Sequence, residues 1–304
     1  MRIIFMGTPD FAVPSLSLLA QRHEVTLVVT RPDAVRSRGK RLEPSPVKVK
    51  ALELGIPVLE CTRVTDDVLA RLRAEEPDVI CVVAFGCLLP DAVLELAPLG
   101  CVNVHGSLLP KWRGAAPIQR AVLEGDEHIG ISIMRLVQKM DAGDYCRQAS
   151  VELGDKGCAQ VMDELSELGA QELAVALNEM AAGTATWQAQ DEDEVTFAAK
   201  IDKAEMRLSP EDAALANLRR VRASMDAAPA RLVVAGKGVR ALEARLADEK
   251  LASGEVLVRK GRVFLGCADG SLELTRVKPD GKREMDASAW ASGLRGQGIT
   301  WTEA

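Results

Sequence analysis

The feature that most constrains this chain is a change of period along its length. Up to about residue 190, short runs rich in Val and Ile alternate with helix-like segments. RIIFMG, EVTLVVT, DVICVVAFG, GCVNVHG and GISIMRL read as strands, several of them apolar on both faces. Between them lie FAVPSLSLLAQ, SPVKVKALEL, DDVLARLRAEE and APIQRAVLEG, followed by a long helical stretch from about Cys158 to Met180. Ser45 before Pro46 reads as an N-cap and first helical residue, and Thr65 before Asp66 and Asp67 as another helix start. Strands alternating with helices predict an α/β, Rossmann-like, doubly wound and mostly parallel sheet. Ligands of such sheets sit beyond the carboxyl ends of the strands.

After residue 206 the texture differs. A short helix (EDAALANLRRVRAS) precedes RLVVAG, VRALEARLA, GEVLVRK, RVFLGCA and SLELTRVK, separated by GKG, KG, ADG and PDG turns. Short strands in succession predict a small antiparallel barrel. The expected division is 1–190 for a first domain, 191–205 for a connection with the polar run DEDE, and 206–304 for the barrel. A length of 304 residues accommodates both.

Composition narrows the class. No apolar run approaches the roughly 18 residues that cross a bilayer. The N-terminus lacks the basic, apolar and small-residue regions of a signal peptide. Seven scattered cysteines, without a C-x-x-C pair, argue against a disulfide framework and against a zinc site, so no metal is expected. A cytoplasmic protein is expected. The net charge is −6, unevenly spread: 17 basic and 14 acidic residues lie from 205 onward, against 21 and 30 before. Such asymmetry hints at different partners for the two parts.

MGTPDFAVP follows the first strand, where a dinucleotide fold places its glycine-rich turn. It holds one glycine, Gly7, and Pro9 has no N–H for a phosphate, which speaks against a nicotinamide enzyme. Asn103 and His105 are two apart in a strand and share a face. Gly106 and Ser107 then take the chain out of the strand, placing both near the carboxyl edge. An amide N–H can hold a developing oxyanion, and an imidazole can donate to it or shuttle a proton. A hydrogen-bonded strand-end histidine is the plainer alternative. In SLLPKWRGAAPIQRA, Lys111 and Arg113 could meet an anionic substrate. MDAGDY supplies Asp141 and Asp144 around Gly143, either as turn chemistry or as a carboxylate assisting His105. The segment from Arg31 to Lys50 holds seven basic and two acidic residues, suited to a phosphate backbone or to a solvated loop.

Taken together, MGTPDFAVPSL, RGKRLEPSPVKVKA, VVAFGCLLP, GCVNVHGSLLPKWRGAAPIQRAVLEGD, the MDAGD turn, VTFAAKIDKAEMRL and GSLELTRVKPDGKREM resemble the bacterial methionyl-tRNA formyltransferases over nearly the whole chain. The resemblance implies a Rossmann-like domain joined to an OB-fold-like barrel that binds tRNA. It implies 10-formyltetrahydrofolate as donor and the amino group of initiator methionyl-tRNA as acceptor. Separately, no membrane partner is expected, and the chain is expected to be a monomer. The family's catalytic Asn, His and Asp fall on Asn103, His105 and Asp141. Its folate-contacting segment falls on Ser107, Leu108, Leu109 and Pro110. Its tRNA-contacting loop falls on residues 34–43, with Arg38, Lys40 and Arg41. An imidazolium at His105 and an amide donor at Asn103 would then stabilise the oxyanion. One departure is SMDAAPARLVV, where the family has an Asn-Pro-Trp-Pro-like segment. Two other readings use the same residues: a formyltransferase for a small amine, such as an aminosugar nucleotide or purine precursor, and a non-enzymatic tRNA- or folate-binding protein.

Overall fold

The computed structural model describes residues 1–35, 41–294 and 298–304. Contacts divide the chain into two compact units. The first comprises Met1–Pro117, His128–Glu152 and Met162–Ala198; the second comprises Ile118–Glu127, Leu153–Val161 and Ala199–Ala304.

In chain order the strands of the first unit are β1 (Arg2–Gly7), β2 (Glu24–Thr30), β3 (Val58–Glu60), β4 (Val79–Val83), β5 (Cys101–His105), the two-residue β6 (Arg113–Gly114), β7 (His128–Arg135), β8 (Tyr145–Glu152) and the two-residue β9 (Phe197–Ala198). β6 and β9 pair with each other. The rest form one sheet in the order β3-β2-β1-β4-β5-β7-β8. β3 through β5 run parallel, while β7 and β8 add an antiparallel edge. The doubly wound, mostly parallel reading is thus correct. β8 has no Val/Ile signature because one of its faces is exposed at Gln148, Ser150 and Glu152. β4 and β5 are buried at every position, which is why they read as continuous apolar runs.

Helices α1 (Val13–Arg22), α2 (Pro46–Glu53), α3 (Asp66–Arg73), α4 (Asp91–Leu94), α5 (Pro117–Glu124) and α6 (Cys158–Ala181) occupy the connections. Ser45 caps α2: its hydroxyl accepts the Lys48 N–H at 3.0 Å and meets Thr30 Oγ1 at 2.7 Å. Thr65 precedes α3 without a side-chain cap. On one sheet face Ile4, Met6, Leu27, Val29, Ile80, Val82, Phe85 and Cys101 form a core. On the other, α6 approaches β5 so closely that a Cβ on Gly169 would lie 2.8 Å from Val104 Cγ1. Alternation along β5 therefore turns Val104 toward α6, and Cys101, Asn103 and His105 toward the opposite face.

The second unit holds α7 (Ala214–Arg222), β10 (Arg231–Val234), β11 (Lys237–Ala247), β12 (Val256–Arg259), β13 (Arg262–Gly266), β14 (Ser271–Pro279), β15 (Met285–Asp286), α8 (Ala287–Ala291) and β16 (Trp301–Glu303). The sheet order is β12-β13-β14-β11-β10-β16, with β15 on β14. Its two ends meet, since Glu255 bridges Thr300 and the Val256 N–H donates to the Ile299 carbonyl at 2.9 Å. The sheet therefore curls onto itself around Leu232, Val234, Val239, Val263, Leu265, Leu274, Val277 and Trp301, in line with the expected barrel. Trp301 is buried, and its indole N–H donates to the Gly266 carbonyl at 2.9 Å. Where the family pattern has its tryptophan, Met225 and Ala228 exchange backbone hydrogen bonds and Ser224 Oγ accepts the Ala230 N–H, forming a closed turn. Among the described residues no helix is long and apolar enough to cross a membrane.

Candidate active site

His105 is the last residue of β5 and pairs with Ser132 on β7. It is 5% exposed and Asn103 9%, both at the carboxyl end of the sheet. The His105 Nε2–H donates to the Trp112 carbonyl at 3.0 Å. A carbonyl can only accept, so Nε2 carries the proton and Nδ1 keeps its lone pair. Nδ1 lies 3.8 Å from Asp141 Oδ2, beyond hydrogen-bond range. Burial pushes the His105 pKa down; the Asp141 charge and the bond to Trp112 oppose it, and burial wins. The resting ring is therefore neutral near pH 7. This corrects the expected imidazolium: a carboxylate held short of direct contact does not offset the loss of hydration.

Asp141 sits at φ +48°, a left-handed conformation uncommon for a residue with a side chain. Its Oδ2 accepts the Gly114 N–H at 2.9 Å. Of the two carboxylates in MDAGDY, it is Asp141 that is brought to His105. The Asp144 carbonyl accepts the Arg135 N–H at 2.8 Å. Gly143 has no room for a side chain, since a Cβ would lie 2.0 Å from the Arg135 carbonyl oxygen.

The Ser107–Pro110 segment is tied to β7 and β8. Ser107 Oγ donates to the Lys111 carbonyl at 2.6 Å. Ser132 Oγ donates to the Ser107 carbonyl at 2.7 Å and accepts the Leu109 N–H at 3.0 Å. Gln148 Nε2 donates to both the Leu109 carbonyl and Ser132 Oγ at 2.8 Å. Leu109 is buried, and Leu108 lies over Gly130, where a Cβ would come within 2.4 Å of its Cδ2. Ser132 and Gln148 escaped the sequence reading. A lone serine inside the apolar run GISIMRL is the signal that could have found the first; Gln148 carries none.

Lys111 is exposed, but Arg113 is 1% exposed and bonded to Gln190 and Glu192, so it is withdrawn from any substrate. The basic segment is likewise less free than its count suggests. Lys48 pairs with Asp33 at 2.7 Å and Glu60 at 3.0 Å, and Lys50 with Glu53 at 2.5 Å. Arg41 is exposed, next to an antiparallel bridge between Ala34 and Glu43; Arg38 and Lys40 lie outside the described residues. Among the described residues no three or more His, Cys, Asp or Glu side chains are grouped to hold a metal.

Comparison with known proteins bears on this arrangement. Residues 1–177 match the formyl transferase family and residues 200–295 match the formyl transferase C-terminal domain. A methionyl-tRNA formyltransferase of Methylococcus capsulatus is 41% identical over 292 residues, 94% of this chain and 95% of that protein. HypX from Aquifex aeolicus, solved with tetrahydrofolic acid, shares the fold at a TM-score of 0.66 and 19% identity. The match covers 95% of this chain and 46% of HypX, so the chain spans about half the length of that protein. An N-formyltransferase from Helicobacter canadensis, solved with folinic acid and dTDP-3-aminofucose, has a TM-score of 0.66 at 13% identity, covering 90% of this chain and 98% of its own. At such identities these structures speak to fold alone. With two family domains matched and 41% identity sustained over 94% of its length, the chain belongs to the formyl transferase family, on its methionyl-tRNA formyltransferase branch.

Proposed function

We propose that this chain transfers the formyl group of 10-formyltetrahydrofolate to the amino group of initiator methionyl-tRNA, preparing that tRNA for translation initiation. The observation that carries the reading is the 41% identity to a methionyl-tRNA formyltransferase, spanning both matched domains. The meeting of His105 and Asp141 at the end of β5 supports it. Bound at Ser107 to Pro110, the folate donor supplies the formyl carbon and a nitrogen that leaves. Because the polar atoms of that segment are largely bonded within the fold, it fits the donor as a preformed wall, with half-buried Leu108 as its apolar surface.

Attack of the neutral amine on the formyl carbon forms a C–N bond and places negative charge on the formyl oxygen. Asn103 donates its amide N–H to that oxygen, an interaction worth about 2.7–4 kcal/mol for one well-aimed donor. His105, neutral and with its Nδ1 lone pair free, accepts the proton lost by the amine. Asp141 stabilises the imidazolium so formed, as a charge rather than as a hydrogen-bond partner. His105 then returns the proton to the leaving folate nitrogen as its bond to the formyl carbon breaks. All three groups come from one chain, so the chemistry requires no second copy and a monomer suffices.

On this reading residues 1–190 carry the transfer chemistry, 191–205 connect, and 206–304 meet tRNA together with Arg38, Lys40 and Arg41. A cytoplasmic location accords with seven free cysteines. The second reading, a small-amine acceptor, is favoured only by the fold shared with the aminosugar-bound Helicobacter enzyme. Formylation assays with 10-formyltetrahydrofolate decide between them. Initiator methionyl-tRNA should be the efficient acceptor; preferential formylation of a dTDP-aminosugar or an amino ribonucleotide would overturn the proposal.

A further inference from the structure

The contacts that hold His105 and Asp141 both fall on one three-residue stretch. The Trp112 carbonyl takes the His105 Nε2–H, and the Gly114 N–H holds the Asp141 carboxylate. This stretch is not relaxed. Trp112 lies at φ +64° and Gly114 at φ +128°, and a Cβ on Gly114 would approach the Ala198 carbonyl oxygen to 2.7 Å. Strained backbone persists only where its surroundings hold it. Here β9 and Thr196 supply the backbone part: Thr196 Oγ1 accepts the Trp112 N–H and the Thr196 carbonyl accepts the Arg113 N–H, each at 2.9 Å.

The side-chain part lies at Gln190, the last residue of the expected first domain, and at Glu192, in the polar run that reads, in sequence, as a mere connection. Gln190 Nε2 donates to two carbonyls of the Asp141 turn, that of Asp141 at 2.8 Å and that of Gly143 at 2.7 Å. Gln190 Oε1 accepts Arg113 Nε–H at 2.9 Å, and Glu192 Oε1 accepts from Arg113 Nη2 at 2.9 Å. Arg113 is 1% exposed, and its Nη1 has no hydrogen-bond partner among the described residues. Burying a guanidinium with one nitrogen unsatisfied is costly. Such a cost is tolerated where the residue holds something in place. Every hydrogen-bonding atom of the Gln190 amide is thus directed at either the His105-holding stretch or the Asp141 turn. Arg113 foremost, and Lys139 beside it, hold the Glu192 carboxyl down to about 2, so the anchor stays charged at any working pH.

We propose that Gln190, fixed by Arg113, is a positioning residue for formyl transfer: it locks the Asp141 turn to the stretch that holds His105. The proposal rests on the roles given to His105 and Asp141 above. Gln190→Glu isolates the effect. The substituted side chain has the same size and keeps the bond to Arg113, but it cannot donate to the two turn carbonyls. With the full-length protein, kcat should fall about 10- to 100-fold while KM for both substrates stays within about twofold, the signature of lost transition-state alignment. On an Asp141→Asn background the same substitution should add less than about twofold, because the two act as one unit. Glu192→Gln, on a side chain that is 59% exposed and no risk to the fold, should lower kcat in the same direction by about two- to threefold. The proposal is overturned if Gln190→Glu and Glu192→Gln keep wild-type kcat while Asp141→Asn is impaired. It is equally overturned if the losses from Gln190→Glu and Asp141→Asn simply multiply. Wild-type kcat in Asp141→Asn itself would instead sink the underlying role of Asp141.

Discussion

The end of β5 and the outer surface of the curled sheet use ionisable groups in opposite ways. At β5, two groups are taken out of water and held apart at 3.8 Å, and the protonation of His105 is set by burial. On the curled sheet, charges are numerous and mostly paired. Glu273 takes Arg262 at 2.5 Å and Arg245 at 2.7 Å, while Asp280 takes Arg231, Asp226 takes Arg240 and Glu284 takes Arg276. Arg262 also lies over the Phe264 ring, 4.8 Å from its centre. The pairs at Asp280, Asp226 and Glu284 are exposed on the carboxylate side and contribute at most about 1 kcal/mol each, weakening with salt, whereas Glu273 is itself buried. The lesson concerns counting. Pairing leaves the net excess of 17 basic over 14 acidic residues unchanged, but it lowers the number of arginines free to contact a phosphate, so the basic count overstates the contacts open to a polyanion. A buried neutral imidazole and one half-buried carboxylate carry the chemistry.

The sharpest way to break this contrast is at the buried end. His105→Ala should lower kcat by about 10²–10⁴-fold, the range for loss of a general base, with folate affinity retained. Near-normal kcat would make His105 structural. Asn103→Ala should cost about 10²–10³-fold in kcat, the price of one oxyanion donor, again with little change in folate binding.

At the exposed end, effects should be smaller and dependent on salt. Replacing Arg38, Lys40 and Arg41 together with alanine should raise KM for tRNA and reduce the slope of log affinity against log salt by up to about three, with folate KM unchanged. A wild-type KM across the salt series would remove the basic loop from the tRNA site.

The pH dependence sharpens the comparison further. Burial lowers the His105 pKa from 6.5, so its base form persists below that value. The midpoint of the His105 titration in the free enzyme, followed by NMR, should lie below pH 6.5. Asp141 pulls that pKa upward, so Asp141→Asn should move the midpoint lower still. A wild-type midpoint at or above 6.5 would contradict a neutral, buried base. The smallest expected effect is at Glu273, whose carboxyl Arg262 and Arg245 hold down to about 2 against burial. A depressed carboxylate stabilises above its ordinary pKa of 4.5, and that contribution is lost as pH falls toward 2. The difference in Tm between wild type and Glu273→Gln should therefore be on the order of a few degrees at pH 7 and vanish in acid. Catalysis at pH 7 should not change.

Legibility followed burial. β1, β2, β4 and β5 were readable because continuous apolar runs have no other comfortable place than a sheet covered on both sides. β8, solvated on one face, and two-residue β6 and β9 were not readable. Yet β6 carries the Gly114 N–H that holds Asp141 and directly follows the Trp112 carbonyl that takes His105, and β9 pairs with it. The basic count of the Arg31–Lys50 segment was legible as composition, whereas the engagement of Lys48 with Asp33 and Glu60 was not, since Glu60 arrives from a separate strand.

By its own pattern of periods, turns and spaced polar residues, the sequence determined two units of different texture and placed Asn103 and His105 on one strand face at a carboxyl edge. It also narrowed the assisting carboxylate to the MDAGDY turn. The resemblance had already put the assisting carboxylate on Asp141, and the fold brings it to His105. Only the tertiary structure decided that the ring rests neutral and that Arg113 turns inward to Gln190 and Glu192 rather than outward to a substrate. Strand period is a local property, set by backbone geometry between neighbouring residues. Protonation and partner choice depend on how much water the fold removes and on what distant segments it brings within 4 Å, and residues 77 positions apart meet at Gln190 only once the chain has folded.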